Sequence, residues 1–536
     1  MSEKHYDAIV IGAGIAGLAT AALLAKDHAR RVLVLERAPW VGGRALSYVG
    51  RGNVVEADGI TMDAAAFRKS LAHAHCYLGK CEPAIEEIFA RSLLDGRTFE
   101  AGGHGLFWGN ASRCDALMRH LGVGWSLPLN RGFGFVKWHG EGAPTEHYQV
   151  QKGKPYPWMS AEGYASTIEQ LGEMARTTPQ QLAQLMTTPL SAWLEQRGMH
   201  PEAYEYIKVL AASQTAQAEP AMTPAGDFLG YMAVAPALRM NLVSGSVATA
   251  DEPGTIAIAL LFEKVLKEHG GEVRRATPVR EVLIDENGRA VGVRIREKGA
   301  DGAATERELR ADAIVCTVPP KYVFDRLLPK ERFPPEFVDF MSRKSWGAGL
   351  LTGWYGMSAP QFPDIGIAEG SFVYMPGITR PEEGFIGVVD MIMADMNAWG
   401  DGSARRAPPG KHEYYFSTAL TDAEMRDPKR VGRVIELCEA WAKRTFPNWE
   451  RSQEFCIWTP GPEAYGTWRP VGSERPDVAS PHVERLFFAG DQYGRRLWGG
   501  GVDGASLSAV LCVDAMTGGD AEGRIMPEWH RGLPRA

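Results

Sequence analysis

Glycines at positions 12, 14 and 17 constrain this chain more than any other feature. They stand as Gly12-Ala13-Gly14-Ile15-Ala16-Gly17, directly after an apolar run from Tyr6 to Ile11 that reads as a buried parallel strand. The Ala- and Leu-rich stretch from Ile15 to Lys26 reads as a helix, and Arg31 to Glu36 as the next strand. A parallel pair of strands requires such a crossover. Each glycine then has a mechanical task. Gly12 allows the tight turn after the strand, Gly14 lets the backbone approach a pyrophosphate, and Gly17 lets the helix pack closely on the sheet. The free N–H groups at the helix start, around Ile15 and Ala16, face the phosphates with the helix dipole behind them. Glu36, ending the second strand, sits where a ribose hydroxyl pair is gripped. An acid there disfavours a 2′-phosphate, which leaves FAD or NAD rather than NADP. A glycine-rich turn that binds nothing is the bland alternative, and it leaves the strand, the helix and the acid in register unexplained.

Two later regions have a similar character. Ile256, Leu260, Leu261 and Leu266 have helical spacing, with Gly270-Gly271 as the stop. Val279 to Ile284 and Ala290 to Ile295 read as strands joined at Asn287-Gly288, a hairpin signal. Ala313 to Thr317 reads as a further strand, halted by Pro319-Pro320. Near the C-terminus, Arg485 to Ala489 reads as a short strand ending in Gly490-Asp491, and Val502 to Met516 as a buried helix. The intervening stretches, 131–240 and 331–475, hold ten of the fifteen tryptophans and many methionines. Such residues are more often core than ligand contacts, but collectively they favour an apolar cavity. Gly402 to Gly410 reads as an exposed loop.

The chain has 536 residues, enough for two or more domains. Its formal net charge of −7, with no long basic run, argues against nucleic acid as a partner. The seven cysteines show no Cys-x-x-Cys pair and no zinc-site spacing, so neither a disulfide framework nor a metal site is expected. His73, His75, Cys76 and Cys81 cluster in sequence but fit no standard ligand pattern. The apolar stretches are too short to span a bilayer, which makes a cytoplasmic protein the expectation and leaves peripheral membrane contact open.

Beyond Glu36-Arg37, the sequence reads Gly42-Gly43-Arg44. This resembles the extended motif of the flavin amine oxidase and phytoene desaturase superfamily, where it continues the wrap around the FAD pyrophosphate. Three further segments resemble the same family. Glu100-Ala101-Gly102-Gly103-His104 is similar to the acidic-x-Gly-Gly segment that passes the flavin ring. Val279 resembles the residue whose backbone meets the adenine. Ala489-Gly490-Asp491 resembles the second FAD signature, and Trp498 to Ala505 the segment that brings a helix start, with Gly501, Val502 and Ala505, beneath the flavin.

The resemblance implies an α/β protein. Its Rossmann-like FAD-binding domain is discontinuous, from 1–130, 241–330 and 476–520. An α+β substrate domain is expected from 131–240 and 331–475, and a tail from 521–536. It also implies FAD as cofactor, a small apolar substrate, and oxygen or a quinone as electron acceptor. Two places depart from the family. Residues 48–97 intervene where only a few residues are usual, with Phe67, Leu71, Leu78 and Ile85 spaced for one or two small helices that could serve as a lid or an oligomer contact. Gly501 stands where amine oxidases carry the tyrosine of an aromatic cage.

His104 is a candidate acid, base or substrate-orienting group, Lys344 a candidate water-holding lysine near the flavin, and Trp498 a wall of the flavin cavity. Each has an ordinary structural alternative. Arg495 and Arg496 could meet an anionic substrate group. These expectations converge on an oxidoreductase that desaturates an apolar cyclic or polyene substrate. The alternatives are an amine oxidase, a non-redox flavin isomerase, and a prenyl-protein-binding relative. No cysteine stands between Gln492 and Leu497, where covalent relatives carry one, so FAD is expected to be dissociable.

Overall fold

The computed structural model describes residues 5–102, 109–124, 131–137, 139, 144–151, 153–215, 220–234, 254–298, 304–343, 348–379, 389–395, 406–463, 471–494 and 500–531. Its first sheet is built around β1 (Tyr6–Ile11), whose side chains are almost wholly buried. β1 pairs in parallel with β2 (Val32–Leu35) on one side and β13 (Ala304–Cys316) on the other. β10 (Glu272–Arg274) extends the parallel set beyond β2, and β19 (Leu486–Phe488) beyond β13. The N-terminal half of β13 instead pairs antiparallel with β12 (Ala290–Lys298), which pairs with β11 (Val279–Ile284). β13 therefore runs nine residues earlier than the expected Ala313 start. Thr305 to Arg310 carry mostly charged side chains, and in a hairpin arm these face solvent.

α1 (Ile15–His28) crosses from β1 to β2 and is buried from Ile15 to Ala25. A helix buried all round needs neighbours on more than one side. Here they are α6 (Ile256–Glu268) and α8 (Gly501–Thr517), both packed against it. Segments far apart in sequence thus form one layered nucleotide-binding fold.

An eight-stranded sheet has the order β6-β18-β14-β17-β16-β15-β8-β9. Its strands come from 132–149, as β8 (Gly132–Lys137) and β9 (Glu146–Gln149), and from 348–461. The latter are β14 (Ala348–Met357), β15 (Ser371–Thr379), β16 (Val389–Asp395), β17 (His412–Thr421) and β18 (Gln453–Gly461). Its edge strand β6 (Lys80–Glu82) belongs to the 48–97 insertion.

That insertion loops out between hydrogen-bonded neighbours. β3 (Ser47–Arg51) pairs with β7 (Thr98–Glu100), matching Ser47 to Glu100 and Val49 to Thr98. β4 (Val54–Ala57) and β5 (Ile60–Met62) complete a four-stranded sheet. Two short helices are present, α2 (Ala64–Ser70) and α3 (Ile85–Ala90). The strands were not expected, because three to five residues are too few to show a period of two. Arg406, expected in an exposed loop, is buried and ion-paired to buried Glu100 at 2.6 Å; the rest of that loop up to residue 405 lies outside the described residues.

Among the described residues, no helix is long and apolar enough to cross a membrane.

Candidate functional site

The turn after β1 is set by steric necessity. Gly12 has φ +108°, and a Cβ on it would lie 2.3 Å from Thr317 Oγ1. Thr317 is held there by its own hydrogen bond to Ile11 O, 2.7 Å long. A Cβ on Gly17 would lie 2.1 Å from Gly12 O, so only glycine permits α1 to sit this close to the turn. Gly14 differs: nothing lies within 4 Å of its Cβ position. Its backbone faces a cavity of about 540 Å³, a volume ordinary for small-molecule and cofactor sites.

The Gly42-Gly43 turn lies against the first. Gly42 N–H donates to Ala13 O at 2.9 Å, and both glycines have left-handed φ, +108° and +58°. This turn aims Arg44 at Asp491, whose Oδ1 accepts from the guanidinium at 2.5 Å. Gly490, at the end of β19, donates its N–H to the buried Ser508 Oγ at 2.6 Å, which fixes the Gly-Asp pair to α8. Residues 12–17, 42–44 and 490–491 therefore meet in one cavity wall. The first turn of α8 adds Gly501, Val502 and Ala505 to it. No atom lies within 4 Å of a Cβ placed on Gly501.

Glu36 also lines the cavity. It accepts the Ala13 N–H through Oε2 and the Ala38 N–H through Oε1, both at 2.8 Å. Burial pushes its carboxyl up, and these N–H groups oppose that. Each oxygen keeps a second acceptor site for a ribose hydroxyl. Arg37 and Val279 line the same cavity, as do Ile15 and Ala16. Gly102 is described but does not line it. Gly103, His104, Lys344, Arg495, Arg496 and Trp498 lie outside the described residues.

The cavity fits a flavin dinucleotide on its own evidence. Gly14 and Gly501 leave backbone open to a ligand. The buried Asp491 Oδ2 finds no hydrogen-bond partner among the described residues, an acceptor positioned for a ligand hydroxyl. The N–H groups at the start of α8 favour negative charge.

Several lining residues had no sequence signal. Tyr231, on α5 (Ala225–Val234), sits in an apolar helix that reads as core. Burial, with the charges of Asp503 and Asp227, pushes its phenol far up, so it remains a neutral donor. Arg326, on α7 (Pro320–Arg326), and Trp40, His73 and His75 also line the cavity. Asp503, in the first turn of α8, is neutralised from behind by Arg113 of α4 (Arg113–Leu121). The Arg113 backbone N–H donates to it at 2.6 Å and the guanidinium at 2.8 Å.

Residues 90–517 match the flavin-containing amine oxidoreductase family, and residues 10–69 an NAD(P)-binding Rossmann-like domain. The chain belongs to the flavin-containing amine oxidoreductase family. It is an FAD-dependent oxidoreductase. A stretch of 118 residues is 32% identical to a neurosporene-forming phytoene desaturase of Rhodobacter capsulatus and 31% identical to that of Cereibacter sphaeroides. It covers 21% of this chain and 20% of each relative, so the chain spans about a fifth of the length of the curated relatives it matches.

Among solved structures, an oxidoreductase from Methanosarcina mazei aligns at TM-score 0.61 and 15% identity, over 94% of this chain and 99% of that one. A putrescine oxidase bound to putrescine aligns at 0.58 and 15%, over 96% and 100%. A Rab GDI from Plasmodium falciparum aligns at 0.54 and 11%, over 96% and 99%. At such identities the likeness speaks for the fold alone.

Proposed function

We propose that this enzyme dehydrogenates a neutral, apolar cyclic or polyene substrate, introducing a C=C bond. The state of the carboxylates lining the cavity carries this reading. Glu36 holds two backbone N–H groups, Asp325 pairs with Lys330 at 2.9 Å, Asp491 with Arg44, and Asp503 with Arg113. An ammonium substrate needs an anion or an aromatic cage to replace its water. Each of these carboxylates already meets a cation or backbone N–H groups among the described residues, Asp491 keeping only its Oδ2 open, and Gly501 supplies no ring. The partial likeness to phytoene desaturases supports the same choice.

When bound, FAD would supply the redox chemistry, taking up a hydride equivalent from substrate carbon, with oxygen or a quinone as the proposed acceptor of the electrons. The chain's own residues bind and orient. The backbone at Gly14, with Arg37 and Arg44, holds the pyrophosphate, Glu36 the ribose and Val279 the adenine. The first turn of α8 offers N–H groups where negative charge gathers. Tyr231 presents a ring and a neutral hydroxyl to the substrate side. His104, Lys344 and Trp498 are proposed to complete that side. Amine oxidation is the second reading, favoured by the fold shared with putrescine oxidase. The intact glycine turns and Glu36 speak against a prenyl-protein carrier with no flavin.

Anaerobic bleaching of the bound flavin tests the reading, using a panel of amines, cyclic ketones and acids, and polyenes. Bleaching by a polyene or cyclic compound, with a new C=C in the product, is expected. Bleaching by an amine alone would overturn the proposal in favour of amine oxidation, and bleaching only by reduced nicotinamide would point to reductive or non-redox use.

A further inference from the structure

The insertion brings two histidines to a cavity that its flanking strands alone would not give them. His73 and His75 line the same cavity as Gly14, Arg37 and Arg44. Arg37 and Arg326 line it too. Neither forms an ion pair among the described residues; Arg37 feels the repulsion of Arg326 and, opposing it, the charge of Glu36. His73 faces Arg37 and His75, with the Trp40 ring edge-on at 5.2 Å, and forms no ion pair with a carboxylate among the described residues.

His75 is held from behind. Its Nδ1 lies 3.6 Å from Glu463 Oε2, and its ring stacks on Tyr322 at 6.4 Å. Glu463 is already met by Lys321 at 3.0 Å and Arg426 at 2.7 Å, so its charge is spent several times over. Arg44 and Arg37 are the other charges that His75 feels. The backbone at His75 is left-handed, φ +60°, a conformation that costs most residues stability and that persists where the surroundings impose it. The carboxylates near this wall are engaged elsewhere, Glu463 by Lys321 and Arg426, Asp325 by Lys330 and Asp491 by Arg44, whereas Arg37 and Arg326 form no ion pair among the described residues, so the wall is a place for an anion.

We propose that His73 and His75, with Arg326, form an additional anion-binding wall of the FAD cavity that holds the cofactor's pyrophosphate. This rests on FAD as the occupant. The insertion is anchored on two sides: β6 pairs Cys81 with Ile457 on the eight-stranded sheet, while β3 and β7 close its base. Burial, with the neighbouring arginines, holds both imidazoles below their ordinary range, and at His75 this outweighs the opposing pull of Glu463. A pyrophosphate between them raises both, so binding takes up protons, and FAD is held more tightly at low pH than at high.

The test is flavin release from the purified holoprotein on dilution, followed by the rise in flavin fluorescence at pH 6 and pH 8. The wild type is compared with H73Q, H75N and R326Q. H75N keeps a residue tolerant of left-handed φ, and thermal unfolding of each variant reports the fold separately. Wild-type release is expected to be slower at pH 6. H73Q and H75N are expected to release FAD about tenfold faster than wild type at pH 6, with the difference shrinking at pH 8, and R326Q to release it faster at both. Wild-type-like release by both histidine variants at pH 6, or an equal gap at both pH values, would overturn the proposal while leaving FAD as the cofactor. A wild-type protein that never takes up flavin would overturn both.

Discussion

Gly14 and Gly17 stand three residues apart, and a side chain fails at each for a different reason. At Gly17 the obstacle is the protein: Gly12 O lies 2.1 Å from the Cβ position. Gly17→Ala must push α1 off the turn, a strain worth about 1–3 kcal/mol. It should lower the denaturation midpoint of the flavin-free protein. At Gly14 the obstacle is the ligand, because the protein leaves that space empty. Gly14→Val should leave the flavin-free midpoint unchanged and abolish the yellow absorbance of the purified protein. A valine variant that retains flavin would contradict the placement of the pyrophosphate. These two glycines, with Glu36, Arg44 and Asp491, were legible in the sequence because their demands are local, made by backbone geometry at fixed spacing. Tyr231 and Arg406 were not. Tyr231 reaches the cavity from a helix of core composition, and buried Arg406 is met by Glu100 from more than 300 residues away.

At the scale of elements, α8 depends on what neutralises its first turn. Asp503 is buried there beside buried Arg113. Arg113 Nε donates to His530 Nδ1 at 3.0 Å, and its guanidinium lies over Trp529 at 4.9 Å, so the C-terminal helix Glu528–Arg531 steadies the pair. Since Nδ1 accepts, His530 Nε2 carries the proton toward Glu522 Oε1, 3.0 Å away. Removing the cation leaves a buried unpaired charge, a loss of about 3–5 kcal/mol. Arg113→Met should therefore lower stability sharply, and adding Asp503→Asn should restore a large part of it. Chemical denaturation of the two variants checks this, and a double variant no better than the single would sink the account. The tail from 521 onward carried no such signal in sequence, because its partners lie on α4 and α8. The hairpin β11–β12, by contrast, was legible from Asn287-Gly288 and alternation. The short strands of the 48–97 insertion have no equivalent cue.

For the molecule as a whole, Glu463 is a junction. It closes β18 onto Lys321 and Tyr322 of α7, His75 of the insertion, and Arg426. Burial pushes its carboxyl up, but the hydrogen bonds from His75, Tyr322 and Lys321 outweigh that and hold it at about 2. A group lowered on folding stabilises fully above its unfolded value, here 4.5, and the benefit is lost as pH falls toward 2. Glu463→Gln should flatten the acid limb of the stability curve between those values. A variant with an unchanged acid limb would show that other groups govern it.

The cavity wall has a consequence in time. Its first turn is made at residues 12–17 and its last at 490–505, with β1 waiting for β13 and β19 to complete its sheet. At about 5–20 residues per second, a ribosome needs roughly 25–95 s to travel from one turn to the other. Until then the cavity lacks the wall made by Gly490, Asp491 and the first turn of α8. The complete flavin cavity therefore exists only once nearly the whole chain has been made, and full-affinity loading is expected to follow translation.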